Sequence, residues 1–135
     1  MLLIFDENFP HNLARGLDII EESNNCSSLK CQITHPKYLN IEGMKDNPLI
    51  EFAGSNSAVI ITSDRDFRDI KSKKSIYIEN NVGVFFFKFK KKESNYWGIV
   101  KTFINQFEDV KEILLKETPP FVYEISSSGT KRFEF

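Results

Sequence analysis

The segment Ala58-Val59-Ile60-Ile61-Thr62-Ser63-Asp64-Arg65-Asp66-Phe67 decides how the rest of the chain is read. Its first half is a continuous run rich in β-branched side chains, the pattern of a strand buried on both faces. Its second half sets two carboxylates and a guanidinium directly behind that strand. Val82-Gly83-Val84-Phe85-Phe86-Phe87 is a second such run, ending in the basic stretch from Lys88 to Lys92. Met1-Leu2-Leu3-Ile4-Phe5 is a third, which meets Asp6 and Glu7. Strands that alternate with helices predict an α/β fold with a mainly parallel central sheet covered on both faces. In such sheets sites collect at the C-terminal edges of the strands, where these acids fall.

Helical patterns separate the strands. Asn8-Phe9-Pro10 signals a helix start, with Asn8 as cap and Pro10 in the first turn. Phe9, Leu13, Leu17 and Ile20 carry that helix to about Glu22. Residues 31–35 form a weaker strand candidate closed by Pro36. Asp46-Asn47-Pro48 opens a second helix with Leu49, Ile50, Phe52 and Ala53 inside and Gly54 at its end. Tyr96, Ile99, Val100, Phe103, Ile104, Phe107, Val110 and Leu114 mark the strongest helix, over 95–117, capped by Ser94 or Asn95. Tyr96 starts its apolar stripe and is expected in the core. The stripe has enough apolar positions to serve both a core and a homodimer interface. Residues 121–126 and 131–135 read as a C-terminal hairpin around Ser127-Ser128-Gly129.

The chain has 135 residues with 41% hydrophobic and 27% charged side chains, ordinary for one soluble domain. No apolar run approaches the ~20 residues of a membrane span. No signal peptide is read at the N-terminus, so a cytoplasmic protein without membrane contact is expected. Cys26 and Cys31 lack the spacing of a zinc or redox motif, and reduced thiols are expected, with Cys26 in an exposed polar loop. The net charge of −1 argues against a general nucleic-acid binder. It divides unevenly, however. Residues 1–64 carry four basic and nine acidic groups, a net of −5, and residues 65–135 carry fourteen and ten, a net of +4. Such a split suits an acidic centre holding metal beside basic surroundings holding a polyanion. Scattered surface charge gives the same numbers.

Asp6, Glu7, Asp64 and Asp66 follow strands, while Asp46 opens a helix with Glu42 nearby. A parallel sheet can bring these stretches to one edge, and converging carboxylates raise their pKa values or demand a cation. Three or four of them form a hard oxygen site suited to Mg²⁺ or Mn²⁺. Plainer roles compete with this: Asp46 as a helix N-cap, Asp64 as the cap of a short helix through Ile70 with Asp66 in its first turn, and Glu7 and Glu42 as solvated charges. Asp6 stands apart, because a carboxylate straight after a buried strand is costly unless paired or metal-bound. His11 and His35 show no zinc spacing; His11 reads as an exposed helical residue near Asp6.

The run Leu3-Ile4-Phe5-Asp6-Glu7-Asn8 resembles the opening of compact PIN-like nucleases. Asp46-Asn47-Pro48-Leu49-Ile50 and Ala53 are similar to that family's acid at the head of a helix. Val59 to Phe67 is similar to its strand followed by Thr-x-Asp-x-Asp-Phe. Pro119-Pro120-Phe121-Val122-Tyr123 and the Ser-Gly turn after it resemble the VapC-type toxin branch. The resemblance implies a single PIN-like domain over residues 1–135, a three-layer fold, and a Mg²⁺- or Mn²⁺-dependent ribonuclease. It also implies the toxin role of a toxin–antitoxin pair, with RNA as substrate and an antitoxin protein as partner. Carried over by position, Asp6, Asp46, Asp64 and Asp66 match the acidic metal-binding and catalytic cluster. Thr62 or Ser63 matches the hydroxyl that orients a carboxylate or phosphate. Either Asp6 or Glu7 then faces the metal, and either Asp46 or Glu42 supplies the middle acid.

Arg65, Arg68, Lys88, Lys90, Lys91 and Lys92 are candidate phosphate contacts, giving affinity with little sequence choice. Tyr96 or Trp97 can stack on an unpaired base. Two other classes fit part of the pattern. A receiver-like phosphoacceptor would use Asp64, the acids after strand one and Lys88, but it leaves Asp66 and the hairpin surplus. A catalytically inactive PIN-like binding module would keep the fold without needing its acids.

Overall fold

Every residue of Ala58–Thr62 and of Gly83–Phe87 is buried, and these segments are the two central strands of the sheet. The computed structural model describes residues 1–25, 29–63 and 67–135. Strands β1 (Leu2–Phe5), β2 (Gln32–Thr34), β3 (Ala58–Thr62), β4 (Gly83–Phe87), β5 (Phe121–Ser126) and β6 (Gly129–Phe133) lie in the order β2-β1-β3-β4-β5-β6. The first five run parallel and β6 returns antiparallel to β5. Among the described residues the α-helices are α1 (His11–Glu22), α2 (Asp46–Ser55), α3 (Phe67–Lys71), α4 (Lys74–Glu79) and α5 (Tyr96–Lys116). The architecture expected from the buried strand runs, helices on both faces of a mainly parallel sheet with a C-terminal hairpin, is the one observed.

Strand alternation sorts the core into two halves. Leu3, Phe5, Val59, Ile61, Phe85 and Phe87 point to one face and pack with α1 and α5. Ile4, Ile60, Val84 and Phe86 point to the other, against α2, Ile70 of α3 and Tyr77 of α4. The first face is aromatic: the Phe103 ring lies 5.0 Å from Phe5 and 5.1 Å from Phe87. Among the described residues no helix is long and apolar enough to cross a membrane.

One ion pair sits inside the first half-core. Lys111 Nζ of α5 lies 2.7 Å from Glu21 Oε1 of α1, with the two residues only 3% and 5% exposed. Glu21 also accepts from Cys31 N–H at 2.9 Å and from the Asn24 amide at 3.1 Å. Burial pushes its carboxyl up, but the Cys31, Lys111 and Asn24 donors outweigh that and hold it below the ordinary value. Lys111 further lies 4.6 Å from the Phe107 ring centre.

Several local expectations are corrected. Asn8 does not cap α1: Pro10 holds the N-cap position with no side-chain cap bond, and Asn8 and Phe9 belong to a preceding turn in which Asn8 N–H binds the Asp6 carboxylate and Phe9 N–H binds Asp6 C=O. The helix therefore begins after Pro10. Lys45 occupies the N-cap position of α2, and Asp46 is its first helical residue. Gly54 lies inside that helix instead of ending it; a Cβ there would sit 2.6 Å from Asn80 C=O, so the glycine lets α2 approach the end of α4. The hairpin turn is tighter than expected, since β6 already starts at Gly129. Tyr96 is 50% exposed rather than in the core. The first turn of α5 packs through Gly98 against the Glu93 backbone, which leaves Tyr96 outside.

Candidate active site at the switch point of the sheet

The chain passes from β1 to β2 on one side and then to β3 on the other, so the β1/β3 boundary is where the winding direction reverses. The carboxyl ends of strands at such a boundary open a crevice. Register places Phe5 beside Ile61, and Asp6 N–H extends the ladder to Ile61 C=O at 2.9 Å. Asp6 therefore stands against the last residue of β3.

Among the described residues, Thr62, Ser63 and Asn8 each donate to its partly buried carboxylate. Thr62 Oγ1–H donates to Oδ2 at 2.5 Å, Ser63 N–H donates to Oδ2 at 3.1 Å, and Asn8 N–H donates to Oδ1 at 2.9 Å. Burial nevertheless pushes the Asp6 carboxyl above its ordinary value, because these bonds offset the desolvation only in part. Among the described residues, none of the ion pairs involves Asp6. The structure thus orients a carboxylate at the strand edge and leaves its charge without a described cationic partner.

The other acids differ in what holds them. Glu7, exposed, accepts from Gly43 N–H and so ties the end of β1 to the loop that carries Glu42. Glu42 is exposed on that loop. Asp46 is exposed on the first turn of α2 and pairs with Lys73 at 2.6 Å. Asp64, Arg65 and Asp66 lie outside the described residues, as does Cys26. Among the described residues no three His, Cys, Asp or Glu side chains form a group able to hold a metal. The donor chemistry at Asp6 still fits a hard divalent ion: an oriented oxygen ligand, partly desolvated, immediately beside the segment that bears Asp64 and Asp66.

Beside Asp6 a cleft of about 760 Å³ opens between the ends of β3, β4 and β5. Ser63, Lys88, Lys90, Ser94, Glu124 and Ser126 line it together with Phe87 and Phe89. Lys88 Nζ stands 3.9 Å from Glu124 Oε2, a loose pair with both side chains partly open to solvent. Lys90 N–H binds Glu93 Oε1 at 2.8 Å and holds that carboxyl below its ordinary value. Lys91 and Lys92 fall in the short 3₁₀ turn Lys91–Glu93, and Arg68 is exposed on α3. The structure therefore brings Ser63, Lys88 and Lys90 to one cleft, which Arg68, Lys91 and Lys92 do not line. Sequence reasoning missed Glu124 and Ser126 here, although β5 ends at the same sheet edge as β4.

His11 is not a simple exposed helical residue. Its Nδ1 lies 3.0 Å from Tyr38 Oη and its Nε2 lies 3.3 Å from Lys37 Nζ. Buried His35 accepts from Lys37 N–H through Nδ1, so its Nε2–H donates to Phe9 C=O at 3.0 Å. Both histidines brace the turn after β2 against the start of α1.

No curated protein and no solved structure matches the chain. A family model described as a PIN-like domain matches residues 1–89, from β1 through the cleft-lining Phe89, and the chain belongs to this PIN-like family, which commonly includes nucleases.

Proposed function

We propose that the chain is a Mg²⁺- or Mn²⁺-dependent endoribonuclease, a single PIN-like domain over residues 1–135, acting as the VapC-type toxin of a type II toxin–antitoxin pair. The observation that carries the catalytic part is the oriented Asp6 carboxylate at the strand switch point, next to a cleft that holds Lys88 and Lys90. The toxin part is supported by the resemblance of Pro119–Tyr123 and the following Ser-Gly turn to that branch. Asp6 and Asp64 would hold the principal metal, Asp46 and Asp66 would complete its shell or position the attacking water, and Glu7 and Glu42 are the alternates. When bound, such an ion polarises the scissile phosphate and lowers the pKa of its water.

The chain's own residues do the rest. Thr62 and Ser63 keep the Asp6 carboxylate in one orientation, so no reorganisation is needed when substrate arrives. Lys88, Lys90, Arg65 and Arg68 attract the phosphodiester backbone and set its register without reading bases. Purified protein should cleave single-stranded RNA with Mn²⁺ or Mg²⁺ and stop in EDTA. Cleavage that persists in both Asp6→Asn and Asp64→Asn would refute the assigned site. Acetyl-phosphate labelling of Asp64 without RNA cleavage would favour a phosphoacceptor instead. Toxicity on expression, relieved by Asp64→Asn and by a co-expressed small neighbouring gene product, tests the toxin role.

A further inference from the structure

Glu124 is a carboxylate inside a cleft that the RNA reading gives to a polyanion, and its placement needs a reason. Strand β5 alternates: Phe121, Tyr123 and Ile125 turn to the face covered by α1 and α5, while Val122, Glu124 and Ser126 turn to the other. Register sets Thr62, Phe86 and Glu124 side by side on one rung, and Thr62 holds Asp6. Glu124 thus faces the same side of the sheet as Thr62. Three strand spacings, roughly 14 Å, separate its strand from β1. The side chain is only 23% exposed, yet among the described residues no hydrogen bond reaches either oxygen. Lys88 Nζ, 3.9 Å from Oε2, stands beyond hydrogen-bond reach. Asp6 and Glu21 are shielded too, but each accepts from three donors among the described residues. A partly desolvated carboxylate with open acceptor positions, lining a cavity of about 760 Å³, calls for a ligand that brings N–H or O–H donors.

An ionised carboxylate only accepts, so it sorts bases by their donors. Guanine carries two adjacent donors on its Watson–Crick edge, the N1 hydrogen and the N2 amine, which can meet both carboxylate oxygens at once. Uracil offers one donor flanked by two carbonyls that a carboxylate repels. Cytosine and adenine each offer one amine beside a bare ring nitrogen, which is repelled in the same way. Phe89, half-buried with its ring 6.0 Å from Phe87, gives the cleft an apolar wall for the face of a base. Lys88 and Lys90 line the same cleft as phosphate contacts. Strand β5 lies beyond the residues 1–89 that the family model matches, so Glu124 is not part of what marks the family. We infer that the cleft is a guanine subsite for single-stranded RNA, in which Glu124 accepts the N1 and N2 hydrogens of an unpaired guanine while Lys88 and Lys90 hold the phosphates beside it. This rests on the RNA reading and adds base choice to it, at a position away from Asp6.

The test uses the full chain in EDTA, where no cleavage occurs, and short fluorescein-labelled oligouridine strands with one central base varied. By fluorescence anisotropy, guanosine at that position should bind about five- to 150-fold tighter than uridine, adenosine or cytidine. Inosine, which keeps the N1 hydrogen and lacks the N2 amine, should fall between guanosine and uridine. Glu124→Gln keeps the shape of the side chain and removes an anion from the cleft. It should erase the guanosine preference and raise affinity for the all-uridine strand. Equal affinity for the four bases, a guanosine preference that survives in Glu124→Gln, or inosine bound as tightly as guanosine would overturn the inference. The inosine comparison needs no variant, so it decides even where Glu124→Gln fails to fold. Guanosine preference through Glu124 with no Mg²⁺- or Mn²⁺-dependent cleavage keeps the subsite and removes the nuclease reading. Cleavage by a protein indifferent to the base does the reverse.

Discussion

Thr62→Val isolates the hydroxyl that orients Asp6. Valine keeps the branched shape of a strand residue that is almost fully buried, so the change removes one donor from Oδ2 with little loss of packing. A hydrogen bond to a charged group contributes about 1.5–3 kcal/mol, against roughly 0.5–1.5 kcal/mol for a neutral one. The cost should therefore be larger when Asp6 is ionised than when it is protonated. In EDTA at neutral pH, Thr62→Val should lose about 1.5–3 kcal/mol by urea denaturation, and less as the pH falls toward the ordinary Asp value of about 3.9. If the same bond holds the carboxylate for catalysis, kcat should drop by about ten- to 150-fold with KM little changed. Thr62→Ser, which keeps the hydroxyl, should recover most of both. A loss below about 0.5 kcal/mol, equal at both pH values, with full activity, would show that the 2.5 Å contact does not orient Asp6.

Four further outcomes follow from the same structure. Removing one partner of the buried pair, as in Glu21→Gln or Lys111→Met, should cost about 3–5 kcal/mol by chemical denaturation, while the double variant should regain much of it. Because the Glu21 carboxyl is held below its ordinary value, its contribution is present above the unfolded value of about 4.3 and is lost as pH falls through the lower folded value; an acid transition unchanged in the double variant would contradict this. Asp6 has the opposite sign: its raised folded value means stability present at low pH is lost as pH rises through it. Asp6→Asn should then gain on the unsubstituted protein between acid and neutral pH in EDTA, and saturating Mn²⁺ should narrow the gap; parallel stability curves would contradict the raised value. Lys90→Gln should lower the salt slope of single-stranded RNA binding by about 0.7, and an unchanged slope would remove Lys90 from the cleft's phosphate contacts.

The layered fold was legible because Ala58–Thr62 and Gly83–Phe87 are short, apolar without alternation and rich in β-branched or aromatic side chains, which together read as strands covered on both sides. Asp6 was legible for a related reason, since an acid at the end of such a strand needs a partner. The reach of Thr62 to Asp6 spans 56 positions and depends on β1 pairing with β3, which periodicity does not specify. The Glu21–Lys111 pair was hidden because both residues sit on amphipathic helices where charges normally face solvent, and only the docking of α1 near α5 buries them. Helix α4 was missed because Lys74–Glu79 is too short to show a helical period. Tyr96 was misplaced because it continues the apolar spacing of α5, while the contact that decides its exposure belongs to Gly98 two residues later. Asp64 and Asp66, the most diagnostic acids in the sequence, fall outside the described residues, so their roles rest on their position behind β3.

Everything proposed for the site depends on Asp6 and its neighbouring acids forming a metal-dependent centre for cutting RNA. The most direct test is one cleavage assay on a labelled single-stranded RNA, comparing the unsubstituted protein, Asp6→Asn and Asp64→Asn, each with Mn²⁺ and with EDTA. Cleavage is expected only for the unsubstituted protein with Mn²⁺, with both variants folded and still able to bind the RNA. Equal cleavage by all three proteins, or cleavage undiminished in EDTA, would contradict it.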